Sequence, residues 1–343
     1  MRKVVAEVRR VLITGGAGFI GSHYVRYARE HHPEWEIVVL DKLTYAGSLE
    51  TLRDVADQIS FVRGDITSPE DVATAMIGAD AVLNFAAETH VDRSLLAPHS
   101  FVRTNVEGTL VLLEHARRAG VRRFLHVSTD EVYGDLSGTG QHSVETDTLE
   151  PRSPYAATKA AAEHLVFSYG SSYGLDVVVT RGSNTYGAYQ YPEKIIPLFI
   201  TNALDDRRLP VYGDGSAVRD YLHVEDHCRG IDLVLHHGEN GEAYNLGARL
   251  EVSGLEVATQ VLALLAKSVD LIEYVADRPG HDYRYSVDPT KAESLGWVRG
   301  WAFPEGLAQT VEWYVRSPGW WKPIKQSLDF QQHERKGSRH LTA

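Results

Sequence analysis

Runs of apolar, largely β-branched residues recur along the first half of the chain and alternate with stretches of helical period. Val11-Leu12-Ile13-Thr14, Ile37-Val38-Val39-Leu40, Ile59-Ser60-Phe61-Val62 and Ala81-Val82-Leu83-Asn84-Phe85 each read as a buried strand. Phe124-Leu125-His126-Val127 and Val177-Val178-Val179-Thr180 continue the series. Helical patterns lie between them at 22–31, 69–77, 100–118 and 155–172. This βαβ alternation predicts a parallel sheet covered by helices on both faces. From about Asn184 the rhythm breaks, and isolated helices near 193–205, 224–236, 254–267 and 304–315 stand between loops rich in Gly, Pro and Tyr. The break predicts one unit over 1–183 and a smaller lobe, mainly 184–343, closing over the strand ends, with room for the chain to cross back. The tail from about Lys322 is polar and aperiodic, and reads as poorly ordered.

Gly15-Gly16-Ala17-Gly18-Phe19-Ile20-Gly21 follows the first strand and opens a helix. Glycines there allow a tight turn and close backbone approach to a pyrophosphate resting on the helix N-terminus. Asp41 ends the next strand, at the distance expected of the acidic residue that accepts both ribose hydroxyls. A carboxylate there repels a 2′-phosphate, so NAD is favoured over NADP, although Lys42 stands beside it. Asp65-Ile66 is placed to meet an adenine edge, and Asp65 equally suits a helix cap before Pro69. The fold class that follows is α/β: a Rossmann-type doubly wound parallel sheet with a smaller C-terminal α/β substrate lobe.

Tyr155 and Lys159 stand four apart on a predicted helix and so face the same way. A phenol titrates near 10 and is a poor base. A neighbouring ammonium, with a positive nicotinamide ring, is expected to favour the phenolate; a lowering of three units corresponds to about 4 kcal/mol. Ser128-Thr129 ends a strand at the sheet edge where ligands bind. Asp130-Glu131 follows directly, and two carboxylates in one partly buried cleft tend to split into an acid and a base.

Composition narrows the field. The chain has 343 residues, 43% apolar and 24% charged, with a formal charge of −11. That balance argues against a broad nucleic-acid footprint. Cys228 is the sole cysteine, so no internal disulfide can form, and it reads as a small buried residue in a reducing compartment. No apolar run is long enough to span a membrane. Met1 to Arg10 is basic but runs into a strand without a signal-like apolar region, so the expected location is cytoplasmic. His223-Val224-Glu225-Asp226-His227 lacks a third ligand, His31-His32 and His236-His237 read as solvated helix ends, and no metal site is expected.

These motifs together resemble the nucleotide-sugar branch of the extended short-chain dehydrogenases, and within it the dTDP-glucose 4,6-dehydratases. The likeness is carried by Gly15 to Ser22, Asp41 to Gly47, Ala86 to Ser94, Ser128 to Gly134 and Tyr155 to Lys159. Tyr189 to Lys194, Val211 to Gly215, Arg219-Asp220 and Asp277 to Asp282 complete it, over roughly 10 to 320. The resemblance implies an NAD-dependent hydro-lyase acting on dTDP-glucose. Tyr155, helped by Lys159 and Thr129, takes the C4 hydroxyl proton while a hydride passes to NAD⁺. Glu131 removes the C5 hydrogen, Asp130 protonates the leaving C6 hydroxyl, the hydride returns to C6 and C5 is reprotonated, giving a 4-keto-6-deoxy sugar.

By the same resemblance, NAD rests on Gly15, Gly18, Phe19, Ile20, Gly21, Asp41, Lys42, Thr44, Asp65, Ile66, Ala86, Ala87 and Thr104, and meets Tyr155 and Lys159. Thr89, Asn184, Glu193 and Lys194 contact the sugar and diphosphate. Tyr212 stacks on the base, while Arg219, Asn245, Arg278 and His281 hold the nucleotide. A homodimer through the helices near 100–118 and 155–172 is implied, with no nucleic-acid or membrane partner. The chain departs from the pattern at Thr185, Ala188, Thr89, Ala248 to Glu251 and Tyr283. A sugar-nucleotide 4-epimerase shares the tyrosine and lysine but typically has small or apolar residues where Asp130 and Glu131 stand. An NAD-binding sensor on a degenerate fold is expected to lose Tyr155, Lys159 or the acidic pair.

Overall fold

The computed structural model describes residues 8–277 and 282–332. Six strands follow the expected series: β1 (Arg10–Thr14), β2 (Glu36–Asp41), β3 (Ser60–Arg63), β4 (Ala81–Asn84), β5 (Arg123–Thr129) and β6 (Val177–Gly182). Six more lie beyond: β7 (Asn184–Tyr186), β8 (Leu209–Tyr212), β9 (Val218–His223), β10 (Glu242–Leu246), β11 (Glu251–Ser253) and β12 (Ile272–Val275). The main sheet has seven strands in the order β10-β6-β5-β4-β1-β2-β3, all parallel. The chain therefore returns from the C-terminal half to add β10 beside β6. Two small sheets, β11-β9-β7 and β12-β8, belong to the second lobe.

The pleat sorts each strand between two cores. Val11 and Ile13 of β1 pack with Tyr24, Val25 and Ala28 of the helix Phe19–His31 and with Ile231 and Val234 of the helix Val224–His237. Leu12 points the other way, onto Leu112, Leu113, Ala116 and Val166. A strand with both faces apolar is what a parallel sheet under two helical layers requires. Leu112 and Leu113 are thus committed to the sheet, while Leu110 and Val102 remain exposed.

The long helix expected over 100–118 is interrupted. Residues Val102–Glu107 form a π-helical stretch before the regular helix Gly108–Ala119. Asn105 is buried there, and its carboxamide bonds the Glu88 backbone and the Thr158 hydroxyl. Such bulges often mark functional sites. At the other end, Pro318–Gln326 is helical and Phe330 is buried, against the expectation of a poorly ordered tail from 322. Trp321, Tyr314 and Phe303 supply the apolar contacts that the polar sequence there conceals. Residues from 333 lie outside the described ones.

Candidate active site

A cleft runs along the C-terminal ends of the main-sheet strands, from the glycine loop after β1 to the loop after β6. All the residues expected to meet NAD line it: the loop glycines with Phe19 and Ile20, Asp41, Lys42 and Thr44, Asp65 and Ile66, Ala86, Ala87 and Thr104. At Gly15, φ is +69°, and a Cβ would stand 2.6 Å from the Ala86 backbone nitrogen. At Gly21 a Cβ would collide with the Gly15 carbonyl oxygen. No side chain can be accommodated at either position, so the helix start stays open toward the cleft.

Asp41 accepts from the backbone N–H of Ala17 at 2.9 Å and of Leu43 at 2.8 Å. It is thereby held at the strand end, while burial pushes its carboxyl above the ordinary value despite those two donors. Lys42 reaches across to Asp65 at 2.6 Å and is engaged in that pair.

Thr129, Asp130, Glu131, Tyr155 and Lys159 converge on the middle of the cleft. Thr129 ends β5, and its hydroxyl accepts from Glu131 N–H at 3.3 Å, capping the short turn Asp130–Tyr133. Asp130 is 2% exposed. Its Oδ1 accepts from the Thr129 hydroxyl at 3.3 Å, and its buried Oδ2 has no hydrogen-bond partner among the described residues. Burial, then the charge of Glu131, holds the Asp130 carboxyl well above the ordinary range, against the pull of Arg219. A carboxyl so placed holds its proton more firmly than an ordinary one, as a general acid requires.

Tyr155 is buried against the acidic pair. Burial and the Glu131 charge drive its phenol above the ordinary value, and the hydrogen bond with Thr129 only partly opposes them. Desolvation and the carboxylate neighbours both disfavour the phenolate, which a positive nicotinamide ring would favour. Lys159 itself is fully buried and lowered to about 8, chiefly by desolvation, with Glu163 working the other way.

His126, absent from the expected site, lies behind this lysine. Its Nε2 is 3.3 Å from Lys159 Nζ, and its Nδ1 faces the Asn84 carboxamide at 3.1 Å. Burial and the Lys159 charge hold the imidazole far below its ordinary value, hence neutral. Strand alternation was the available signal, since His126 shares its face of β5 with Ser128, which lines the cleft.

Thr89, Asn184, Glu193 and Lys194 also line the cleft. The Oδ1 of Asn184 is buried and unpartnered among the described residues. Glu193 pairs with Arg93 at 3.0 Å, and Arg93 in turn covers the Tyr45 ring at 3.7 Å. Thr185, where an amide is usual, hydrogen-bonds His227 Nδ1 at 2.8 Å. His227 was not foreseen; it lines the cleft, and burial lowers it to about 4.

Three residues expected to contact the nucleotide lie outside this cleft's lining. Asn245 is fully buried in β10, accepting from Tyr133 at 2.8 Å and donating to the Ser143 carbonyl at 2.9 Å. Its carboxamide is a structural tie, not a cleft residue. Tyr212 and Arg219 do not line the cleft. Arg219 covers the Tyr285 ring at 4.7 Å and donates to the Asp282 carbonyl at 2.7 Å. Arg278 and His281 lie outside the described residues. The unusual run Ala248-Arg249-Leu250 has its own logic: all three backbone N–H groups donate to Asp220 at 3.1 or 3.2 Å.

The sequence model of the GDP-mannose 4,6-dehydratase family matches residues 12–310. A dTDP-glucose 4,6-dehydratase of Streptomyces niveus is 50% identical over 323 residues, covering 92% of this chain and 96% of its own. The enzyme of that name from Neisseria meningitidis serogroup B is 45% identical over 342 residues, covering 92% and 96%. Among solved structures, the dTDP-glucose 4,6-dehydratase DesIV of Streptomyces venezuelae, with NAD and TYD bound, superposes with a TM-score of 0.90 at 49% identity, covering 92% of this chain and all of that one. The UDP-glucose 4-epimerase of Thermus thermophilus, in complex with NAD, gives 0.84 at 33% identity, covering 90% and 99%. The chain belongs to the GDP-mannose 4,6-dehydratase family and, within it, to the dTDP-glucose 4,6-dehydratases.

Proposed function

We propose that this protein converts dTDP-glucose to dTDP-4-keto-6-deoxyglucose and water with NAD as its cofactor. The observation that carries the reading is Asp130: a buried carboxyl, pushed well above the ordinary carboxylate range beside Glu131, in the cleft that also holds Tyr155 and Lys159. An epimerase has no use for such a pair, although the fold supports both chemistries. NAD, when bound, supplies an acceptor for the C4 hydrogen and returns it at C6.

The chain's own groups do the rest. Tyr155 takes the C4 hydroxyl proton, with Thr129 hydrogen-bonded to it and Lys159 one turn along the same helix. A ketone at C4 acidifies the C5 hydrogen, which Glu131 removes. Asp130 gives its proton to the departing C6 hydroxyl, so that water and not hydroxide leaves. The glycine loop and Asp41 suit the cofactor, because no side chain intrudes at Gly15, Gly18 or Gly21 and Asp41 is fixed by two backbone donors. Thr89, Asn184, Glu193 and Lys194 are assigned to the sugar and diphosphate.

Tyr212, Arg219, Arg278 and His281 are assigned to the nucleotide. Two copies pair through the helices over 98–119 and Pro154–Tyr173, where Val102 and Leu110 are exposed. No helix among the described residues is long and apolar enough to cross a membrane, and the cytoplasm is the proposed location. The test is incubation with dTDP-glucose and with UDP-glucose, followed by mass spectrometry. Loss of one water from dTDP-glucose is expected; a mass-neutral epimer, or no change with bound NAD, would overturn the reading.

A further inference from the structure

Folding brings together three side chains from opposite halves of the chain. His32 caps the C-terminus of the helix Phe19–His31, while Asp232 and His236 stand one turn apart on the helix Val224–His237. His32 Nε2 lies 2.9 Å from Asp232 Oδ1, and His236 Nε2 lies 3.8 Å from the same oxygen. The three donor atoms all fall within 4.8 Å of one another. Ligands bound tetrahedrally at about 2.0–2.1 Å from zinc stand about 3.3 Å apart. The two observed spacings bracket that value.

Three further observations point to a ligand. His236 Nε2 is buried and makes no hydrogen bond among the described residues, so a nitrogen with a lone pair or proton to place is turned inward unused. The Tyr24 hydroxyl donates to Asp232 Oδ1 at 3.0 Å, the kind of outer hydrogen bond that orients a ligating carboxylate. The Trp35 ring stacks on His32 at 4.0 Å and 10°, fixing the imidazole plane. The His32 and His236 side chains keep 17% and 27% exposure, which leaves one side open for a water as fourth ligand. A His32⁺–Asp232⁻ ion pair alone would explain the shorter distance and leave His236 without a role.

We propose that His32, Asp232 and His236 form a zinc site that ties the first helix of the dinucleotide fold to the helix preceding β10. Two imidazoles and one carboxylate suit zinc among divalent cations, and three protein ligands leave a fourth position for water. The site lies apart from the cleft: His32 stands at the far end of a 13-residue helix whose start lines the cleft, about 20 Å away along the axis. It works independently of the proposed dehydration.

The test uses the full-length, untagged chain with its cofactor, stripped of metal with EDTA and titrated with zinc chloride by calorimetry. One saturable zinc per chain at micromolar affinity is expected, with a melting temperature raised by a few degrees at about 100-fold excess over Kd. The H32Q and H236Q variants should each lose at least tenfold in affinity while keeping dehydratase turnover and circular dichroism. Should a variant fail to fold, cobalt(II) added to the wild type should give the visible absorption of a tetrahedral site. Absence of saturable zinc binding, an affinity unchanged in both variants, or an octahedral cobalt spectrum would overturn the proposal.

Discussion

Lys159 donates a 2.7 Å hydrogen bond to the Val127 carbonyl, just behind Ser128-Thr129 on β5. With His126 on its other side, the ammonium is buried among neutral acceptors and held at about 8. Its folded value lies below the ordinary 10.5, so between those limits the unfolded chain binds more protons. Folding is thus penalised at neutral pH, by up to about 3 kcal/mol, and the penalty fades as pH rises from about 8 through 10.5. Cofactor-free Lys159→Met should therefore equal or exceed the wild type in stability at pH 7, with the difference closing toward pH 10.5. Urea unfolding at a series of pH values checks this, and a pH-independent difference would contradict it.

The same lysine should limit catalysis from the alkaline side. Below about 8 the ammonium supports proton removal by Tyr155; above it the charge is lost. The profile of kcat/KM should fall with an apparent value near 8. In His126→Phe the ammonium loses an acceptor, and that limb should move to lower pH, with the Asn84 amide nitrogen keeping only its 3.4 Å bond to the Thr109 hydroxyl.

Asp130→Asn keeps the shape of the site but removes the transferable proton. Dehydration should slow by about 10²–10⁴-fold, the usual contribution of a positioned acid. Oxidation at C4 does not need Asp130, so substrate should still raise the absorbance of reduced nicotinamide in the variant. Turnover within about tenfold of the wild type would remove Asp130 from the mechanism.

Away from the reacting atoms, Glu163 is fully buried and pairs with Arg181 at 2.7 Å, with Tyr133 completing the network at 2.7 Å. Removing one member of such a pair leaves a buried charge uncompensated and typically costs 3–5 kcal/mol. Glu163→Ala should lower stability by about that amount, seen as an early thermal transition. A loss under about 1 kcal/mol would show that water reaches Arg181.

What the sequence displayed was local in origin. Gly15 to Gly21, Asp41 and the Tyr155–Lys159 pair were legible because each depends on spacing within one strand–turn–helix or one helical turn. β10 was not, since Glu242–Leu246 is short and becomes a strand only by pairing with β6, some 60 residues earlier. That pairing also explains Asn245: a polar residue near a motif looks like a ligand contact until the strand buries it. The direction of the Tyr155 shift depends on desolvation, a property of the packed cleft, and spacing alone carries no measure of it. The helix from Pro318 was hidden because Trp321 and Phe330 bury against distant partners while their neighbours stay polar.

Asp41 is positioned to set cofactor choice by two backbone donors, from Ala17 and Leu43. Asp41→Ala should weaken NAD binding by about tenfold or more, as each charge-assisted hydrogen bond is worth about 1.5–3 kcal/mol. It should also narrow the preference over NADP by removing the repelling charge. Fluorescence titration of the cofactor-stripped chain with each dinucleotide measures both.

Isotope position is the sharpest test of the chemistry. With dTDP-glucose carrying deuterium at C4, one turnover should yield the 4-keto-6-deoxy product with that deuterium at C6, lighter by one water, which no epimerase produces. Deuterium lost to solvent, or found back at C4 of an unaltered or epimerised sugar, would contradict the roles given to Tyr155, Glu131 and Asp130.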